Sequence, residues 1–281
     1  MQTIAVVGLG FMGRGIVQAL AQAGYRVQMI SRDLDKARKI KEQIESTIEK
    51  DISKGRINND VKDKALALMY PSGNIEDAAE AQLVIEAIPE DKALKKELFE
   101  RLHLGCPGEV IFGTNTSTLP VTELAAHSGR PDRFIGIHFF FPIPYNPLVE
   151  LVPAHQTSTA TRELGEKLVQ SLGKEFIIAR PYPAFIVNRI IFAVMNEALW
   201  LLWEGNKPED VDKALKLSMQ WPLGPLEMID HIGLDVALNA QQSIYYEFQD
   251  PRYRVCPLLK EYVAAGRLGI KSGKGIYDYQ K

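Results

Sequence analysis

The chain has 281 residues, of which 46% are hydrophobic and 24% charged, with a formal net charge of −2 at pH 7. Interspersed charges near balance exclude a nucleic-acid binder held by a basic field, and no apolar run approaches the roughly 20 residues that a bilayer crossing needs. The length suits two modest cores, and the first strand begins at once, so the expectation is a cytoplasmic two-domain protein without a leader peptide, a membrane or a nucleic-acid partner.

In chain order, the β-branched run at 4–7 reads as a strand that passes directly into Gly8-Leu9-Gly10-Phe11-Met12-Gly13. This is the Gly-x-Gly-x-x-Gly cradle of dinucleotide-binding proteins. Gly8 permits the tight turn, Gly10 lets backbone approach a pyrophosphate, and Gly13 lets the following helix pack on the strand, with Phe11 and Met12 on the cofactor side. The phosphates rest on the helix N-terminus, whose N–H groups and dipole favour anions. A small-residue helix at 16–23 and a strand at 25–30 complete a βαβ unit.

About 20 residues past the glycines, a carboxylate usually holds the ribose 2′-hydroxyl. Here Ser31 takes that place, and Arg32 follows with a guanidinium suited to a phosphate fork. The reading is a preference for NADP(H), with NAD(H) possible if Asp33 takes up the ribose and Arg32 stays solvated.

A long charged helix is predicted at 34–54, closed by Gly55, and a second at 60–68. Strands then alternate with helices: strands at 82–87, 109–113, 134–140, 148–152 and 175–178, helices at 91–102 and 160–172. Such alternation predicts an α/β domain, a Rossmann-type doubly wound, mostly parallel sheet. Beyond Pro181 and Pro183 the periodicity becomes helical at 185–203, 208–219 and 226–240. The domains are therefore placed at 1–182, binding the dinucleotide, and 183–281, an all-helical domain for substrate and dimerisation. Trp200, Trp203, Trp221, Tyr245 and Tyr246 exceed what short helices need for themselves, so a homodimer is expected. Cys106 and Cys256 adjoin prolines in apparent loops, without Cys-x-x-Cys spacing, and receive no role.

Three stretches carry chemistry. Thr114-Asn115-Thr116-Ser117-Thr118 follows a strand, at the edge where open α/β sheets bind ligands, although Ser117 or Thr118 could instead cap the helix near Val121. The strand 134–140 delivers His138 to the same edge, beside phenylalanine rings, where an imidazole can act as acid or base near neutral pH. Glu150 interrupts the apolar run Leu148-Val149-Glu150-Leu151-Val152, where a buried carboxylate costs several kcal/mol unless paired. A hydrogen bond to His138 would satisfy it and fix the imidazole tautomer. Asn188 likewise interrupts Phe185-Ile186-Val187-Asn188-Arg189, facing either a cleft or a helix cap. The histidines lack metal-ligand spacing, and no metal is expected.

In this order, the glycine motif, Val84-Ile85-Glu86-Ala87, Asn115-Thr116-Ser117, His138-Phe139-Phe140, Leu148-Val149-Glu150, Phe185-Ile186-Val187-Asn188-Arg189, Gly224-Pro225-Leu226-Glu227 and the closing run from Leu268 to Tyr277 resemble the short-chain L-3-hydroxyacyl-CoA dehydrogenase family over essentially the whole length. The resemblance implies an acyl-CoA substrate, with catalytic His138 and Glu150 and substrate-polarising Ser117 and Asn188. It places nicotinamide-side contacts on Glu90, Lys95, Ser117 and Lys271, a further cofactor contact on Asn115, and CoA contacts on Thr47 and Lys54.

There are departures from that pattern. The family reads His-Phe-Phe-Asn-Pro, whereas Phe141 stands at the Asn, and Ala184 replaces the Gly before Phe-Ile-Val-Asn. Pro147 to Pro153 is similar to the branch containing λ-crystallin, L-gulonate 3-dehydrogenase and carnitine dehydrogenase, so a dehydrogenase of a CoA-free hydroxy acid is the alternative. A non-catalytic, crystallin-like protein would require none of Ser117, His138, Glu150 and Asn188.

Overall fold

A computed structural model of the chain describes residues 2–280 and divides into two compact units, Met1–Tyr182 and Pro183–Lys281. In the first unit, apolar strand runs assemble one eight-stranded sheet: β1 (Thr3–Val7), β2 (Arg26–Ile30), β3 (Met69–Ser72), β4 (Leu83–Glu86), β5 (Ile111–Thr114), β6 (Phe134–Phe139), β7 (Leu148–Pro153) and β8 (Glu175–Ile178). Their order is β3-β2-β1-β4-β5-β6-β7-β8. The first six in that row run parallel, which is the doubly wound arrangement with its ligand crevice at the carboxyl ends of the strands. β7 turns back antiparallel to β6, and β8 runs parallel to β7.

The central strands are buried on both faces, which is why they read as continuous apolar runs rather than alternating ones. Val6, Met29, Ile85, Ile135 and Leu151 from the sheet pack with Ile16 and Leu20 from α1 (Phe11–Gln22) and Ile44 and Ile48 from α2 (Leu34–Ser53). Helices α3 (Asp60–Ala67), α4 (Lys92–Gly105), α5 (Val121–His127) and α6 (Thr159–Ser171) complete the unit.

Strand β3 is absent from the sequence reading. It is four residues long and contains Pro71, which supplies no N–H and fits only because β3 lies at the sheet edge. The alternative reading of Ser117 or Thr118 as a helix cap is also overturned. The N-cap of α5 is Pro120, with no side-chain cap bond.

The second unit is helical: α7 (Val187–Trp203), α8 (Pro208–Ser218), α9 (Pro225–Ile232), α10 (Leu234–Phe248) and α11 (Pro257–Ala264). The single helix expected at 226–240 is two helices. Gly233, at φ 101°, adopts a backbone open to glycine and breaks the run, after which α10 continues to Phe248. Helix α11, which Pro257 opens, has no apolar run long enough to read from sequence. Cys106 and Cys256 are both buried, at the end of α4 and the start of α11, where desolvation raises their thiols and favours the unreactive protonated form.

Two buried carboxylates hold the chain's closing segment. Asp230 accepts from the N–H groups of Ile276 and Tyr277, both at 2.8 Å, and Asp212 accepts from those of Leu226 and Glu227 and from the Tyr277 hydroxyl at 2.7 Å. The closing motif is thereby a structural staple of the helical unit.

Candidate active site

The glycine turn after β1 leaves no room for side chains where sequence placed Gly8 and Gly13. A Cβ on Gly8, which has φ 96°, would lie 2.6 Å from the Ala87 backbone, and one on Gly13 would lie 1.8 Å from the Gly8 carbonyl oxygen. Gly10 has open space on that side instead. It is the N-cap of α1, contributes no side-chain cap, and the first turn carries no acidic residue. Turn, gap and uncapped N–H groups fit a dinucleotide pyrophosphate. At the end of β2, Arg32 is exposed, and no described carboxylate pairs with it. Asp33 accepts from the Asp35 N–H at 2.9 Å as the N-cap of α2.

His138 and Glu150 face each other as direct partners across the antiparallel β6–β7 pair. Directly opposed residues project from one face of a sheet, so the register alone brings imidazole and carboxylate together. Their separation is 2.7 Å from His138 Nδ1 to Glu150 Oε2, with exposures of 4% and 0%. The carboxylate deduced from its misfit in an apolar strand therefore has the partner it needs. The Phe140 ring lies 4.4 Å from the imidazole.

The hydroxyl cluster after β5 is organised by Glu90. Its Oε1 accepts from the backbone N–H groups of Ser117 and Thr118 at 2.8 and 3.0 Å and from the hydroxyls of Thr116, Ser117 and Thr118 at 2.6, 3.3 and 3.2 Å. Asn115 ties the turn to the histidine strand: its side-chain oxygen accepts from the Phe139 N–H at 3.0 Å. Glu90 and Ser117 are thus bonded to each other, and Asn115 joins their loop to the strand that carries His138.

Lys95 is placed differently from a ligand contact. It is 1% exposed, and its ammonium binds Glu86 at 2.5 Å, Glu90 at 3.3 Å and the Ile88 carbonyl at 3.3 Å. Glu86, buried at the end of β4, also accepts from Thr114 Oγ1 at 2.6 Å and from the Ile88 N–H at 2.7 Å. Sequence reading passed over Glu86 as a site residue, although a carboxylate closing Leu-Val-Ile gives the same signal that singled out Glu150. Desolvation holds the Glu86 carboxyl above its usual range despite Lys95. Burial also pushes Glu90 upward, but Lys95 and the hydrogen bonds from the 116–118 turn prevail and leave it below the usual range.

The remaining predicted residues sit on α2 or in the second unit. Thr47, on α2, donates to the Gln43 carbonyl at 2.9 Å, and Lys54 is the exposed C-cap of the same helix. In the second unit, Lys271 pairs with Asp235 at 2.5 Å. Asn188 occupies the first turn of α7, whose N-cap is Ile186, so the capping alternative for Asn188 is not what the backbone shows. Ala184 and Phe185 precede that helix at φ 62° and 51°, a left-handed conformation that explains why a glycine is the easier residue at 184.

The family model described as "3-hydroxyacyl-CoA dehydrogenase, NAD binding domain" matches residues 3–181, and the one described as "3-hydroxyacyl-CoA dehydrogenase, C-terminal domain" matches residues 185–279. A 3-hydroxybutyryl-CoA dehydrogenase of Bradyrhizobium diazoefficiens is 39% identical over 281 residues, covering 100% of this chain and 96% of its own. One of Clostridioides difficile is 38% identical over 279 residues, covering 99% of each. The crystal structure of (S)-3-hydroxybutyryl-CoA dehydrogenase PaaH1 from Ralstonia eutropha superposes with a TM-score of 0.95 at 40% identity, covering 100% of both chains.

Because the Glu90 carboxyl is lowered in the folded protein, its contribution to stability is present above its ordinary value near 4.5 and is lost as pH falls through the lowered one. Glu90→Gln should therefore be less stable than the parent near neutrality, with the gap closing as unfolding is measured at increasing acidity. A gap of constant size from neutral pH to about pH 3.5 would contradict this placement of Glu90.

Proposed function

The chain belongs to the 3-hydroxyacyl-CoA dehydrogenase family, and from that premise we propose that it interconverts (S)-3-hydroxybutyryl-CoA and acetoacetyl-CoA. It is an oxidoreductase with a nicotinamide-dinucleotide-binding domain. The observation that carries the reading is the buried His138–Glu150 pair at the ligand-binding edge of the sheet.

When bound, the nicotinamide dinucleotide supplies or accepts the hydride at C3 of the substrate. In reduction, His138 gives a proton to the oxygen as charge develops on it, and in oxidation it takes that proton back. Glu150 accepts the Nδ1 hydrogen bond, so the Nε2 side is the one that exchanges protons with substrate, and the carboxylate stabilises the imidazolium. Ser117 turns its one hydroxyl proton from Glu90 to the same oxygen, while the Glu90 bond to its backbone N–H keeps the turn in place. On the family correspondence, Asn188 is a second donor, Lys271 a nicotinamide-side residue, and Thr47 and Lys54 contact the CoA moiety. Glu90 and Lys95 act in this scheme as positioning residues.

The preferred cofactor in this proposal is NADP(H). Arg32 is exposed and unpaired among the described residues, and Asp33 would have to leave its α2 cap, worth about 1 kcal/mol, to take a ribose hydroxyl. The assembly is a homodimer through the helical unit, where Ile190, Trp203, Leu217, Met219 and Tyr246 are large apolar residues left exposed.

Purified protein should oxidise NADPH or NADH when given acetoacetyl-CoA but not when given free acetoacetate or dehydrocarnitine. Turnover of only the CoA-free acids would move the chain to the hydroxy-acid branch. Replacement of either member of the dyad, His138→Gln or Glu150→Gln, should lower kcat by about two orders of magnitude or more while dinucleotide affinity stays near the parent value. The double variant should be little worse than the poorer single one, because the two residues act as a unit. A His138→Gln enzyme with near-normal turnover would remove the mechanism.

NADPH should be preferred over NADH by about tenfold or more in kcat/KM, the equivalent of one charge-assisted contact. Arg32→Ala should abolish the preference by raising KM for NADPH, and Ser31→Asp should shift it toward NADH. A parent enzyme that prefers NADH, with no change in Arg32→Ala, would assign the ribose to Asp33 instead.

A further inference from the structure

Arg189 stands where helix electrostatics disfavour a cation. It lies in the first turn of α7, whose N-cap makes no side-chain cap bond and whose first turn holds no acidic residue. The positive end of the helix dipole is there, and it favours anions over a guanidinium. No carboxylate among the described residues forms an ion pair with Arg189, and Asp250, in the segment it approaches, is taken by Arg252 at 2.6 Å. Neither the helix nor an ion pair accounts for the residue.

What Arg189 has instead is a rigid anchor. Its Nε donates to the Tyr253 hydroxyl at 3.0 Å, 64 residues along the chain, and its Cζ lies 4.5 Å from the centroid of the Phe248 ring, within reach of a cation–π contact. The two aromatic rings are themselves 5.3 Å apart. Tyr253 is 4% exposed, its carbonyl accepts from Gln241 Nε2 at 3.0 Å, and the Arg254 carbonyl next to it accepts from Asn196 Nδ2 at 3.0 Å. The anchor is therefore part of the helical core.

The turn that opens α7 needs such an anchor. Ala184 and Phe185 are consecutive non-glycine residues at φ 62° and 51°, a conformation that persists only where its surroundings enforce it. The Arg189 N–H donates to the Ala184 carbonyl at 3.0 Å, so one residue closes this turn through its backbone and ties it to the 248–253 segment through its side chain. Asn188 is carried by the same turn. No described residue bonds its amide, so the turn alone places it.

We propose that Arg189 is a positioning residue: through Tyr253 and Phe248 it fixes the first turn of α7 and thereby aims the Asn188 amide at the substrate oxygen. The inference rests on the dehydrogenase reading above, in which Asn188 is the second donor to that oxygen. A donor raises turnover only where it meets the charge that develops in the transition state, and a displacement of about 1 Å is enough to lose much of its effect. Loosening the turn should therefore lower kcat and spare dinucleotide binding, which depends on the glycine turn of the first unit.

A double-mutant cycle on the full chain separates positioning from general support of the fold. Rates with acetoacetyl-CoA and the preferred dinucleotide would be measured for the parent, Arg189→Met, Tyr253→Phe and Asn188→Ala, and for the first two variants each combined with Asn188→Ala. Arg189→Met should lower kcat by about tenfold and Tyr253→Phe, which loses only the hydroxyl, by about threefold, with KM for the dinucleotide near the parent value. Once Asn188 is already alanine, either change should cost less than about twofold more. An equal fall in both backgrounds, a matching rise in KM for the dinucleotide, or no fall in either background overturns the proposal and leaves the dehydrogenase reading intact. A parent protein that does not turn over acetoacetyl-CoA overturns both. If Arg189→Met does not fold, the Tyr253→Phe arm decides by the same criteria, since it removes a single oxygen and keeps the ring in the core.

Discussion

The antiparallel turn-back of β7 against β6 is the constraint on which the site depends. In an otherwise parallel row, residues on neighbouring strands reach the ligand edge together, but a carboxylate supplied from behind a histidine needs a strand that returns. β7 returns with Glu150 opposite His138. Because side chains alternate faces along a strand, a slip of one residue would send Glu150 to the wrong side of the sheet and leave a bare charge in the core. Several groups oppose such a slip. Val149 and Leu151 are fully buried on the alternate positions, and Lys174 holds the connecting segment by two of its carbonyls. The chemistry of the imidazole is thus set by the same alternation that builds the core.

A second buried network performs the equivalent task for the hydroxyl side. Glu86, Lys95 and Glu90 link the end of β4, the first turn of α4 and the loop after β5. Breaking a buried ion pair by removing one partner costs about 3–5 kcal/mol, whereas replacing the whole pair by apolar groups can be neutral. Stability alone therefore does not explain a buried glutamate and a buried lysine with a third ionisable group beside them at one strand end. What they provide is direction: Lys95 holds Glu90, Glu90 gathers five donors of the 116–118 turn, and the Ser117 hydroxyl is left at a defined place beside the histidine strand. Asn115 closes the circuit by its bond to the Phe139 backbone.

Much of this was legible in the sequence because each informative residue violates its local pattern. Glycines without room for a Cβ and a glutamate inside an apolar strand carry their reasons in the one-dimensional string. The order of elements gave the sheet, since strands buried on both faces read as unbroken apolar runs. What escaped had weak local signals. β3 is short and contains a proline, α9 and α10 merge in periodicity until the φ of Gly233 separates them, and α11 is marked only by its opening proline. Lys95 was a ligand contact only by the family resemblance, and no local pattern in the sequence marks it as buried. Its burial depends on Glu86, nine residues earlier, and on a turn more than twenty residues later, a coincidence that only the folded chain displays.

Three of the departures from the family's pattern have a common address. Ser31 and Arg32 follow β2, and Phe141 follows β6, so all three lie beyond strand ends, where a side chain can change without repacking either face of the sheet. Ser117, also on a loop, is different, because its turn is bound through five donors to a buried network, and exchange of one member leaves others unsatisfied. His138 and Glu150 are the extreme case, each inside a strand and each the other's counterpart. The sheet therefore divides its ligand edge into positions tied to buried partners and positions free of them. On the proposed function, proton transfer falls to the first kind and the choice of dinucleotide to the second.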